Sequence, residues 1–77
     1  MTAKLPSVKS AAVIRALERA GFVIIRISGS HHRLVHPADA TRQTTVPLHK
    51  GRDLPKPVLR AIIKQAGLAI DDFITLL

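Results

Sequence analysis

The sequence predicts a two-layer α+β domain, α-β-β-β-α, with both helices on one face of a three-stranded antiparallel sheet. Three observations lead there. Apolar residues recur at helical spacing near each end of the chain, and a glycine follows each of those stretches. Between them lies a β-branched stretch interrupted by Gly-Ser. The chain has 77 residues, which fits one domain spanning 1–77 with a modest core.

The first helix is expected over residues 8–20, with Ser7 as N-cap. Val13, Leu17 and Ala20 recur at i, i+4 and i+7 with Ile14 beside them, while Arg15, Glu18 and Arg19 take the opposite face. Gly21 then occupies the usual C′ position. "FVIIRI", residues 22–27, reads as a strand. Gly29-Ser30 suits a two-residue hairpin loop with glycine at the first central position. A second strand over 31–36 follows, then a polar turn over 37–42. "QTTVPLH" makes a third strand, and Pro47 places it at an edge or ends it early. "HKGRDLPKP" is a loop, with Asp53 near the next helix start. Leu59, Ile62, Ile63 and Ala66 predict a helix over 56–66, ended by Gly67. "DDFITLL" adds one short terminal turn with acids in its first positions. The sheet face away from the helices is left to solvent or a partner.

Composition narrows the function classes. Cysteine is absent, which excludes a disulfide scaffold and thiolate metal sites. No apolar run is long enough to cross a bilayer, and the first ten residues contain no apolar secretion core, so a cytoplasmic location without membrane partner is expected. Twelve Lys+Arg against five Asp+Glu give a formal charge of +7. Such an excess on a small chain points to a polyanionic partner, nucleic acid first and an acidic protein second.

Three of the four histidines fall within "ISGSHHRLVHP". Neighbours on a strand point to opposite faces, so His31 and His32 cannot readily share an ion. His32 and His36 share a face but stand roughly 13 Å apart along the strand. No metal site is therefore expected, and His32 and His36 read as residues that cap or solvate backbone. His31 differs, because it leaves a tight turn with its side chain exposed. Arg33 lies on the same face, roughly 6.6 Å along. Imidazole and guanidinium at that spacing can address one phosphodiester, the first moving a proton and the second stabilising charge. Lys56, Arg60 and Lys64 form a basic stripe at i, i+4 and i+8, which either grips phosphates or is a solvated helix face. His49, Lys50 and Arg52 add charge in the preceding loop. With two Phe and no Trp or Tyr, aromatic platforms for single-stranded bases are not expected.

Taken together and in this order, Gly21-Phe22, Gly29-Ser30-His31, Val46-Pro47, His49 and Leu59-Arg60 through Gln65-Ala66-Gly67 resemble HicA, the toxin of HicAB toxin–antitoxin pairs. The resemblance covers roughly residues 7–77. It implies a fold like a double-stranded-RNA-binding domain and an mRNA-cleaving ribonuclease that arrests translation without a cofactor. It also implies that His31, placed by Gly29 and Ser30, is the catalytic histidine, and that a HicB-type antitoxin covers the site. The substrate's 2′-hydroxyl would then be the nucleophile, with His31 taking its proton. His32, His49 or a water would serve the leaving oxygen. The main rival is a non-catalytic RNA-binding module of the same fold. A second rival is a basic interaction protein that docks an acidic partner.

Overall fold

The computed structural model describes residues 5–77. Its elements are α1 (Ser10–Arg19), β1 (Val23–Ser28), β2 (His31–His36), β3 (Asp39–Pro47), α2 (Lys56–Gln65) and α3 (Ile70–Thr75). The strands form one antiparallel sheet in the order β1-β2-β3. This is the expected α+β layout of a double-stranded-RNA-binding domain, with α3 appended.

The N-terminal boundary of α1 departs from the sequence expectation. Lys9, not Ser7, occupies the N-cap, with extended dihedrals and no side-chain cap. The cause is tertiary. Residues 8–10 run extended against residues 52–54, through Ser10 N–H to the Arg52 carbonyl, Leu54 N–H to the Val8 carbonyl, and a Lys9–Asp53 bridge. That pairing delays the helix by two residues. The C-terminus is as expected. Gly21 N–H donates to Glu18 and Phe22 N–H to Leu17, a Schellman pattern that needs the left-handed backbone of Gly21 at φ 100°.

The third strand is longer than expected at its start. The turn closes with Pro37-Ala38 alone, and β3 begins at Asp39 instead of after Arg42. The His36 ring accepts the Ala38 N–H at Nδ1, and a register shift between Val35 and His36 lets His36 pair with Asp39. Residues 39–42 look like a turn because they are polar, but Asp39 pairs with His36 and Gln43 with Val35, so 40–42 are carried in the strand as an irregularity between those two pairs. Pro47 ends β3 on the sheet edge, where a missing N–H costs nothing.

The core lies between the helices and the inner face of β2 and β3. Leu34 and Val46 supply the sheet side, and Val13, Leu17, Leu59 and Ile63 supply the helix side, all essentially fully buried. Phe73 of α3 is also fully buried, so the terminal helix completes the core. The helices cover β3 and leave β1 open on both faces. Ile24 and Ile27, paired with core-facing Leu34 and His32, are 37% and 59% exposed. A bulge at Ile25 puts these two, three residues apart, on one face.

Candidate active site

Ser28 pairs with His31, leaving Gly29-Ser30 as the whole loop of the β1–β2 hairpin. Gly29 has φ 60°, and Ser30 does not share its positive φ. That is the type II′ pattern, whose twist matches the flanking strands. The Ser30 carbonyl accepts two hydrogen bonds, from Leu48 N–H at 2.6 Å and from the His32 ring at 3.2 Å. The first ties the turn to the end of β3. His31 therefore leaves a braced turn with its own side chain exposed.

The register separates the histidines as the alternation rule requires. His31 pairs with Pro47 and Arg33 with Thr45, on the face away from the helices, while His32 pairs with Val46 on the helix side. His32 holds the turn carbonyl, and His36 is likewise structural. The His36 ring packs edge-on against Phe22 at 5.2 Å while its Nδ1 caps the turn. Arg42 stacks over the same Phe22 ring and donates to the Ala66 carbonyl, closing the C-terminal end of α2.

Arg33 shares the face of His31 as expected, but its guanidinium turns away. It donates to Gln43 Oε1 at 2.6 Å, and Gln43 pairs with Val35, one step further from His31. Arg26 of β1 pairs directly with Arg33, so three basic side chains share the outer face. Like charges placed directly opposite destabilise a sheet.

Residues 48–55 form the second part of the site. His49 N–H donates to Ser10 Oγ at 3.1 Å, and Ser10 Oγ donates to the His49 carbonyl at 3.2 Å. Ser10 is only 1% exposed, so this clamp is shielded from water. Arg52 N–H returns to the His49 carbonyl across a four-residue turn whose third residue, Gly51, has φ 76°. That is a type II turn, which demands glycine there. It leaves Lys50 exposed and directs Arg52 to a cavity also lined by His49. Pro47 is a wall of that cavity and the register partner of His31, so imidazole and cavity adjoin.

The structure does not gather every basic residue at His31. α2 runs antiparallel to β3, since Val58 lines the cavity beside Pro47 while Gln65 reaches Thr44 at the other end. Lys56 lies at the cavity end of α2. Arg60 and Lys64 follow one and two turns away, about 6 and 12 Å by helical rise. All three are exposed. The sequence reading missed Ser10, whose partner lies 39 residues away, and the cavity, whose walls come from three segments. No local signal marks either. Among the described residues, no three His, Asp or Glu side chains converge as a metal site would require.

Residues 10–68 match the model of a family described as the HicA toxin of bacterial toxin–antitoxin systems, which is most of the chain. No curated protein matches the chain.

Proposed function

Because the chain belongs to the HicA toxin family of bacterial toxin–antitoxin systems, we propose that it is a metal-independent endoribonuclease that cleaves mRNA, with His31 as its acid/base. The observation that carries this is the outer sheet face. A lone imidazole on a braced turn shares that face with the facing pair Arg26 and Arg33. Arg26 and Arg33 are register partners, and their like charges are unfavourable side by side until an anion lies near; without one, the Arg33 guanidinium turns to Gln43.

In the reaction, neutral His31 takes the proton of a ribose 2′-hydroxyl. That oxygen attacks the adjacent phosphorus, and the bond from phosphorus to the 5′ oxygen breaks. The products are a 2′,3′-cyclic phosphate and a 5′-hydroxyl. The departing oxygen needs a proton, and His49 is the second donor we favour. It lies two residues beyond Pro47, the partner of His31, on a loop fixed by Ser10. His32 is less suited, because it faces the helices and is engaged with Ser30. Lys50, Arg52 and Lys56 draw the backbone toward the cavity, while Arg60 and Lys64 hold it further along α2. Removing the His31 imidazole alone is worth roughly 10²–10⁴-fold in rate, the usual contribution of one proton-transfer partner.

The partner is a HicB-type antitoxin, which silences the site by covering the basic face. The apolar residues that β1 leaves exposed on both sides support a protein partner as well as RNA.

The test is cleavage of a defined RNA in EDTA by purified protein and by His31→Ala. The expected result is cyclic-phosphate ends from the wild type and a rate roughly 10²–10⁴-fold lower for the variant. Equal cleavage by His31→Ala removes His31 from the chemistry, and loss of wild-type cleavage in EDTA brings back a metal mechanism. RNA retention without cleavage would favour the non-catalytic binding module.

A further inference from the structure

The cavity beside His31 has a volume of about 310 Å³. That is the low end of the roughly 300–1,000 Å³ typical of ligand sites, room for one ring system and its sugar. Leu54, Pro55 and Val58 make its apolar wall, and His49, Arg52 and Asp53 its polar one. Pro47 joins it to the sheet. Cα atoms paired across antiparallel strands stand about 4.5–5.5 Å apart, so the Pro47 wall of the cavity lies one strand spacing from the His31 backbone.

Asp53 is the informative group. A carboxylate beside Arg52 makes the wall a poor cradle for phosphate, so the backbone that Lys50, Arg52 and Lys56 draw in is read as passing the mouth while a group without negative charge enters. Asp53 only accepts hydrogen bonds. Its ion pair with Lys9 is long, at 3.9 Å, and both side chains are more than half exposed, so acceptor capacity remains. A fitting occupant is thus neutral, flat and rich in N–H donors. Both phenylalanines are buried in the core, so stacking must come from the His49 imidazole and the Arg52 guanidinium, which offer flat faces to a base.

We propose that this cavity is a nucleobase subsite for an unpaired guanine of the nucleotide next to the scissile phosphate, with Asp53 accepting from its N1–H and N2–H groups. Guanine is the one common base with two adjacent donors on its Watson–Crick edge. Adenine and cytosine each set a single amino group beside an acceptor nitrogen, which would face the carboxylate. Uracil has one N–H between two carbonyls. The inference rests on the ribonuclease reading for its biological sense, since the base is placed by its distance from His31.

Two measurements separate the inference from that reading. The first is an amide NMR titration of the full chain with the 5′-monophosphates of guanosine, inosine and adenosine, and with inorganic phosphate. Guanosine monophosphate should shift the amides of His49, Asp53, Leu54 and Val58. Inosine monophosphate, which lacks the N2 amino group, should bind roughly tenfold more weakly. Val58→Trp fills the cavity from a side chain already 38% exposed, so it should fold and lose the shifts. Shifts that inorganic phosphate reproduces, that do not distinguish the bases, or that survive Val58→Trp would overturn the subsite. The second is cleavage of RNAs that differ in one base. Wild type should cut beside guanosine at least tenfold faster than beside adenosine, and Asp53→Asn should bring the two rates together. Equal wild-type rates, or Asp53→Asn with the preference intact, would overturn the subsite while leaving the nuclease standing. No cleavage at all would overturn the nuclease reading, and the titration would then decide the cavity alone.

Discussion

Replacing Ser10 by alanine separates two accounts of how α1 begins and tests what holds the loop of residues 48–55. Ser10 Oγ is shielded and makes two hydrogen bonds to the His49 backbone, as acceptor at 3.1 Å and donor at 3.2 Å. Truncation removes both and leaves the His49 N–H beside a methyl group. A buried donor left without its partner costs about 1–3 kcal/mol. For a domain of this size that lowers Tm by about 5–20 °C. Ser7 is exposed, and Lys9 holds the N-cap in its place, so Ser7→Ala should stay within about 0.5 kcal/mol of wild type. Urea unfolding of the three proteins gives the comparison. Hydrogen exchange gives a local readout, with the His49 amide exchanging about 5- to 150-fold faster in Ser10→Ala. A Ser7→Ala loss equal to or larger than that of Ser10→Ala would refute the clamp. So would a His49 amide that exchanges in Ser10→Ala as it does in wild type.

Three further substitutions probe other parts of the fold and site. Gly21→Ala should cost about 2–4 kcal/mol, because φ 100° strains any L side chain and the new Cβ would lie 3.1 Å from His36 Nε2. Adding His36→Ala should relieve part of that cost, and strict additivity in urea unfolding would refute the close approach. The Asp39 carboxyl is held below its ordinary 3.8 chiefly by the Thr41 hydroxyl and then by the Thr41 N–H. A lowered carboxylate pKa contributes stability that is present above 3.8 and lost as pH falls through the depressed value. Thr41→Val should move the Asp39 midpoint up in a carboxyl-carbon NMR titration, and an unmoved midpoint would exclude the hydroxyl as cause. Gly29→Ala meets no neighbour but places alanine at φ 60°, so it should cost about 1–2 kcal/mol by urea unfolding, and a neutral result would argue against the type II′ turn.

What the sequence revealed follows how local each signal is. The α2 stripe of Leu59, Ile62, Ile63 and Ala66 is a periodicity within one element, and all four are buried. Gly21 and Gly29 were legible because a positive φ belongs to the residue itself. His31 could be singled out because strand alternation alone separates it from His32. The start of β3 was not legible, since it rests on the single pair Asp39–His36 across an irregular register, and Asp39–Arg42 carry no β-branched apolar pattern of their own. Nor was the start of α1, because the segment that holds residues 8–10 extended lies more than 40 positions along the chain. The site shows the same division. The proposed acid/base, His31, could be picked out from strand alternation, whereas the loop, clamp and cavity are products of tertiary contact.

If the chain is the proposed ribonuclease, the positions of the basic residues also divide binding from chemistry. Arg60 and Lys64 extend along α2 away from the end where Val58 meets Pro47, the register partner of His31. On the proposed ribonuclease reading they hold a strand that has already passed the reacting phosphate and do not stabilise charge on it. Arg60→Ala with Lys64→Ala should therefore raise KM and leave kcat near wild type. Each lost contact to single-stranded RNA should also reduce the slope of log K against log salt by about 0.7, so the pair by about 1.4. Both side chains are exposed, which keeps the stability cost within about 0.5 kcal/mol each and isolates the electrostatic effect. A fall in kcat with the salt slope unchanged would contradict this division. It would mean that the RNA bends back over α2, and that the charge stripe and His31 act on one phosphate after all.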